Sequence, residues 1–113
     1  MTYSIFEHNK VQVLEVQDLF NELDNKEILL DVQSRIEKGL NKFILDLSKL
    51  DFMNSVGLNF LISMMTQSKQ SGGGLTVVNA NDQVVNLLEM TKLKTFFDLK
   101  PTVAEALQNH GNN

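Results

Sequence analysis

Five residues near the middle of the chain, Phe43-Ile44-Leu45-Asp46-Leu47, are apolar with one exception. A run this short bounded by polar residues reads as a strand, and apolar side chains on both of its alternating faces require cover on both sides. A strand of that kind belongs at the centre of a sheet with helices packed against it. It leads into a short loop, Ser48-Lys49-Leu50-Asp51-Phe52-Met53-Asn54, and then a helical pattern beginning at Ser55. Strand-to-helix loops of this type are common functional positions in α/β domains, because a rigid scaffold holds a side chain out at a helix start.

The rest of the chain supports the same layout. Residues 3–7 and 11–16 read as two strands joined by the polar turn His8-Asn9-Lys10, with Val11, Val13 and Val16 roughly alternating with other residues. Asp24 with Glu27 three residues later fits a helix start with reciprocal capping. That helix is expected to run to about Lys38, with Ile28, Leu29, Val32 and Ile36 on one face and Gly39 just past its end. After the helix from Ser55 to about Gln70, Ser71-Gly72-Gly73-Gly74 breaks the pattern and Leu75-Thr76-Val77-Val78 forms a further strand. Asn81 can cap a helix carrying Val84, Leu87, Leu88 and Thr91. Thr95-Phe96-Phe97 reads as a short strand, and Thr102 with Glu105 marks a last helix before a frayed tail over 110–113. Alternation of strands and helices after an opening hairpin predicts one α/β domain over 1–113. Its mixed, mostly parallel sheet has about five strands, with four helices packed on it.

Bulk properties narrow the function. A chain of 113 residues that is 42% hydrophobic can bury a core without staples, and it has no cysteine for disulfides or thiolate metal sites. Its net charge of −4, with ten scattered basic residues, argues against nucleic-acid binding. Met1 to Lys10 shows no secretory pattern and no apolar run approaches a membrane span, so a cytoplasmic protein without membrane insertion is the expectation.

On the helix after Ser55, a spacing of about 100° per residue gathers Leu58, Leu61, Ile62 and Met65 as the packing face. Val56 and Phe60 fall nearly opposite, with Met64 beside them. Scattered exposed hydrophobes would account for that column. Its position next to Ser55 favours a docking ridge built from an aromatic ring and an adaptable methionine. Ser55 itself would cap the free N–H groups of the helix start, a structural role compatible with a regulatory one.

Strand-Asp-Leu-Ser followed by Phe52-Met53-Asn54-Ser55-Val56-Gly57-Leu58 resembles the STAS domain of bacterial anti-sigma factor antagonists. The resemblance extends to Asn21-Glu22-Leu23-Asp24, to Gly72-Gly73-Gly74-Leu75 and to Leu87-Leu88-Glu89-Met90-Thr91-Lys92-Leu93. It implies a STAS-like fold and a binding protein without catalysis or cofactor. The protein partner would be an anti-sigma factor that is also a serine kinase, phosphorylation of Ser55 would disable the antagonist, and a phosphatase would restore it. The partner-facing set is then Asn54, Val56, Gly57, Phe60, Met64 and Asp24, with Asp46, Ser48 and Asp51 shaping the loop. Asn54 replaces the family's usual Asp, Val56 its second hydroxyl residue, and Asn21 its usual Gly. A second job on the same fold stays open: a non-enzymatic STAS subunit of a lipid-transport ABC complex or a stress-sensing assembly, without phosphorylation.

Other chemistries are weaker. A hydrolase built on Ser55 lacks the first glycine of a nucleophile elbow and would need His8 or His110 as base. The Gly72–Gly74 run precedes a strand and lacks a following Lys-Ser/Thr, so it reads as a turn rather than a phosphate loop. Asp46 and Asp51 offer two carboxylates for Mg²⁺ but no third ligand.

Overall fold

A computed structural model describes residues 3–111. Strands β1 (Tyr3–His8) and β2 (Val11–Val16) form the hairpin. They are followed by α1 (Glu22–Glu37), β3 (Lys42–Asp46), α2 (Ser55–Gln70), β4 (Gly74–Val78), α3 (Asp82–Met90), a 3₁₀ turn at Lys94–Phe96, β5 (Asp98–Lys100) and α4 (Val103–Gly111). The sheet order is β1-β2-β3-β4-β5, antiparallel between β1 and β2 and parallel elsewhere. The hairpin closes through two residues only, since His8 pairs with Val11 and both Asn9 and Lys10 have positive φ (50° and 70°). That geometry matches the right-handed twist of the strands it joins.

Strand order that advances in one direction, combined with right-handed crossovers, places all three connecting helices on the same side of the sheet. Leu14, Val16, Phe43, Leu45, Leu75 and Val77 accordingly pack with Ile28, Val32, Leu61, Met64, Val84 and Leu88 in the main core. The opposite side holds a smaller cluster of Val11, Val13, Ile44 and Val78 under Ala106 of α4. The Phe43–Leu47 run is therefore buried throughout because its two faces serve two different helix layers.

Helix ends explain several boundaries. The Asn21 side chain accepts the Asp24 N–H at 3.0 Å and caps α1, so the helix begins a turn earlier than an Asp24 cap would allow. At its other end Gly39 (φ 86°) donates to Ile36 O and Leu40 donates to Arg35 O, the paired bonds of a Schellman ending. Helix α3 ends the same way, with bonds from Lys92 to Glu89 O and from Leu93 to Leu88 O, but its left-handed residue is Lys92 (φ 61°). The expected strand at Thr95–Phe97 is displaced. Phe96 and Phe97 donate back to Leu93 and Lys94 carbonyls, so the chain makes a helical turn first, and the strand forms where Asp98, Leu99 and Lys100 pair with Thr76, Val77 and Val78. Thr102 Oγ1 accepts the Glu105 N–H at 3.2 Å, as expected for the start of α4. That helix extends through Gly111, past the expected onset of a tail, and positions 112–113 lie outside the described residues.

Candidate functional site

The loop from β3 to α2 is held from beneath and from the side. Leu47 N–H donates to Val78 O, which keeps the chain against β4 after pairing ends. Buried Asp46 accepts at Oδ1 from Ser48 N–H (3.0 Å) and from the Asn79 side chain (2.9 Å). Asn81 Nδ2 donates to the carbonyls of Leu50 and exposed Asp51, while its Oδ1 caps α3 through Val84 N–H. Gln83 takes both backbone groups of Met53: its Oε1 accepts the N–H and its Nε2 donates to the carbonyl, each at 2.8 Å. The loop is thus tied to β4 at Leu47 and to the start of α3 at Leu50, Asp51 and Met53.

This scaffold delivers Asn54 to the N-cap of α2, where its Oδ1 accepts from Val56 N–H (3.0 Å) and Gly57 N–H (3.3 Å). Asn and Asp are equally good at this task, so the neutral side chain caps without placing a charge beside Ser55. The expectation that Ser55 caps is corrected: Ser55 is the first helical residue, exposed, and its hydroxyl has no hydrogen-bond partner among the described residues. The first turn of α2 contains no acidic residue, whereas α1 and α3 carry Glu22 and Asp24, and Asp82, in theirs.

The outward apolar ridge does not exist. Phe60 is 2% exposed and Met64 fully buried. Helix α2 packs against both the sheet and its neighbour α1 on the same side, so its buried arc is wider than the stripe suggested by the periodicity and extends to Phe60 and Met64. Gly57 is buried too. A Cβ there would lie 2.8 Å from Met53 Cγ and 3.2 Å from Leu19 Cβ, so this glycine allows close packing of the helix start and is closed to a partner. Val56 remains half-buried, bordering a shallow cleft of about 300 Å³ between α1 and α2 whose walls include Glu22, Leu29 and Asn59. Asp24 is exposed on the first turn of α1.

Two aromatic rings to which the sequence pattern assigns no role stand beside the loop. Phe20 and Phe52 are 49% and 51% exposed and stack with ring centroids 6.4 Å apart at 26°. Phe52 is visible within the loop motif, but nothing in the irregular stretch 17–21 signals that Phe20 meets it. The pinning roles of Asn79 and Gln83 are equally hidden in the sequence, because they act over about thirty positions.

The rival chemistries lose their geometry here. His8 ends β1 and borders a cavity with Gly39, Lys42 and Leu107 at the end of the sheet opposite the β3–α2 loop, and α4 runs toward that same end. No group of three or more His, Cys, Asp or Glu side chains among the described residues could hold a metal ion. No helix among them is long and apolar enough to cross a membrane.

A five-stranded mixed sheet with three helices on one side and a serine presented at the start of the second defines a STAS-type α/β domain. The chain belongs to the STAS domain family, whose model matches residues 4–106. A Thermotoga maritima protein carrying the provisional name of anti-sigma factor antagonist is 29% identical over 73 residues. That match spans 65% of this chain and 65% of the relative, so it covers just under two thirds of each. Among solved structures, the unphosphorylated anti-sigma factor antagonist SpoIIAA superposes with a TM-score of 0.82 at 16% identity, covering 98% of this chain and 97% of that one. Phosphorylated SpoIIAA of Bacillus superposes at 0.74, again at 16% identity, over 95% and 97% of the two chains.

Proposed function

We propose that this chain is a non-catalytic anti-sigma factor antagonist whose binding is switched by phosphorylation of Ser55. One observation carries the reading: Asn54 does the capping, which leaves an exposed, unengaged hydroxyl on the first residue of α2. A kinase could reach that oxygen without breaking any bond of the fold. A helix N-terminus accommodates a phosphoryl group, since its dipole and unsatisfied N–H groups favour an anion carrying about −1.5 to −2 charges. The modification would therefore leave the domain folded and act on docking. The partner is an anti-sigma factor that is itself a serine kinase, and a phosphatase resets the switch; a cytoplasmic location follows from that role.

Loss of binding comes from local exclusion. A doubly charged group next to half-buried Val56 would have to shed water under a docked partner, and an uncompensated buried charge costs about 3–5 kcal/mol, more than 100-fold in affinity. Intact mass and phosphate-affinity electrophoresis on protein from its native cell should reveal a singly phosphorylated population that disappears in Ser55→Ala. Ser55→Asp should bind the captured kinase at least tenfold more weakly than wild type. Equal affinity for Ser55→Asp, or an unmodified Ser55 under all growth conditions, would refute the switch.

A further inference from the structure

With Phe60 and Met64 in the core, the stacked pair Phe20 and Phe52, each about half exposed, is an apolar surface on the loops that lead into α1 and α2. Single exposed hydrophobes need no account. Here two rings from different loops meet, one before α1 and one before α2, so that their outer faces form one small platform. Its surroundings are acidic: Asp18 and Glu22 lie two residues to either side of Phe20, Asp51 adjoins Phe52, and Asp24 follows on the same turn of α1. Across 17–24 and 49–55 the sole basic residue is Lys49, which pairs with Glu15 at 3.2 Å.

From this combination we infer that the platform seats arginine side chains of a protein partner. A guanidinium is planar, stacks on aromatic faces and forks to carboxylates, whereas an ammonium does only part of this. Arginine is also among the residues enriched at the centres of protein interfaces. A second copy is disfavoured, because the same four carboxylates would face themselves on a chain of net charge −4. Nucleic acid is disfavoured by the same sign of charge. The inference rests on the antagonist reading of this face and adds a consequence to it. Phosphate on Ser55 would increase the long-range pull on a basic partner, so switching off must come from exclusion at the helix start rather than from general repulsion.

The test uses the full chain and a defined probe, an acetylated and amidated hexapeptide of alternating arginine and leucine, compared with its lysine and glutamate analogues. NMR titration at low salt should show saturable shifts of the Phe20 and Phe52 ring signals with the arginine peptide. Affinity should be about fivefold weaker for the lysine analogue, fall with added salt, and vanish for the glutamate analogue. Phe20→Ala/Phe52→Ala should lose about fivefold or more, and the milder Glu22→Gln/Asp51→Asn, confined to exposed side chains, should weaken binding and flatten the salt dependence. Equal affinity for the lysine and arginine peptides, shifts centred away from the two rings, or no saturable shift would overturn the inference. Those outcomes leave the phosphate measurement on Ser55 untouched, and an unphosphorylated Ser55 leaves the peptide result untouched.

Discussion

Asn54 and Ser55 are neighbours with opposite roles, and their stabilities on truncation should differ accordingly. Asn54→Ala removes the acceptor for two N–H groups, those of Val56 at 3.0 Å and Gly57 at 3.3 Å. Loss of an N-cap side chain costs about 0.5–2 kcal/mol, and because Gly57 is buried, water replaces the lost partner poorly there. A loss near 1.5 kcal/mol is expected. Ser55→Ala deletes an exposed hydroxyl with no partner among the described residues, so its effect should stay within about 0.5 kcal/mol and can be slightly favourable, alanine being the better helix former. With a urea m value of about 1.5 kcal/mol/M, the first change moves the unfolding midpoint by roughly 1 M and the second by less than about 0.3 M. Asn54→Asp should hold the wild-type midpoint at neutral pH, since a carboxylate caps equally well and suits the helix dipole. The reverse ranking, with Ser55→Ala costly and Asn54→Ala silent, would make the serine oxygen a structural cap and remove the basis for a free acceptor of phosphate.

Phe60→Ala should cost about 3–5 kcal/mol by chemical denaturation, as for a ring lost from a packed core, and a variant that folds like wild type but loses partner binding would restore the outward ridge. Lys92→Gly should raise stability by about 0.5–1 kcal/mol, because a non-glycine residue at φ 61° carries strain that glycine lacks; a lower melting temperature would contradict the left-handed ending of α3. Burial, and then the hydrogen bond from its hydroxyl to Asp31 and the nearby carboxylate charge, raise the Tyr3 phenol above its ordinary value of 10.0. The native state thus holds that proton more tightly than the unfolded chain, and the associated stability is complete below pH 10 and lost as pH rises beyond it. Tyr3→Phe should show a smaller fall in urea midpoint between pH 9 and 11 than wild type; identical profiles would exclude the effect.

The sheet and most helices can be read from the chain because their signals are local. The buried run at Phe43–Leu47, the caps at Asn81 and Thr102 and the glycine after α1 each act within a few residues, where pattern and turn chemistry suffice. Even there, neighbouring candidates compete: Asn21 prevails over Asp24, and Asn54 over Ser55, because the cap goes to whichever side chain the incoming loop aims at the free N–H groups. The error at α2 has a different origin. Periodicity gives the faces of a helix but not how many neighbours it packs against, and α2 touches both the sheet and α1, which draws Phe60 and Met64 inside.

By itself, the amino-acid order determined the strands and helices of an α/β sheet and the presence of a serine at the second helix start, since these arise from patterns within one segment at a time, and the resemblance of several such segments, in order, to STAS domains pointed to the family. Tertiary packing alone decided that the hydroxyl is free, that Gln83 and Asn79 hold its loop, and that Phe20 meets Phe52. The contacts of Gln83, Asn79 and the two rings join loops some thirty residues apart in sequence, and only the parallel register of β2, β3 and β4 brings their ends side by side.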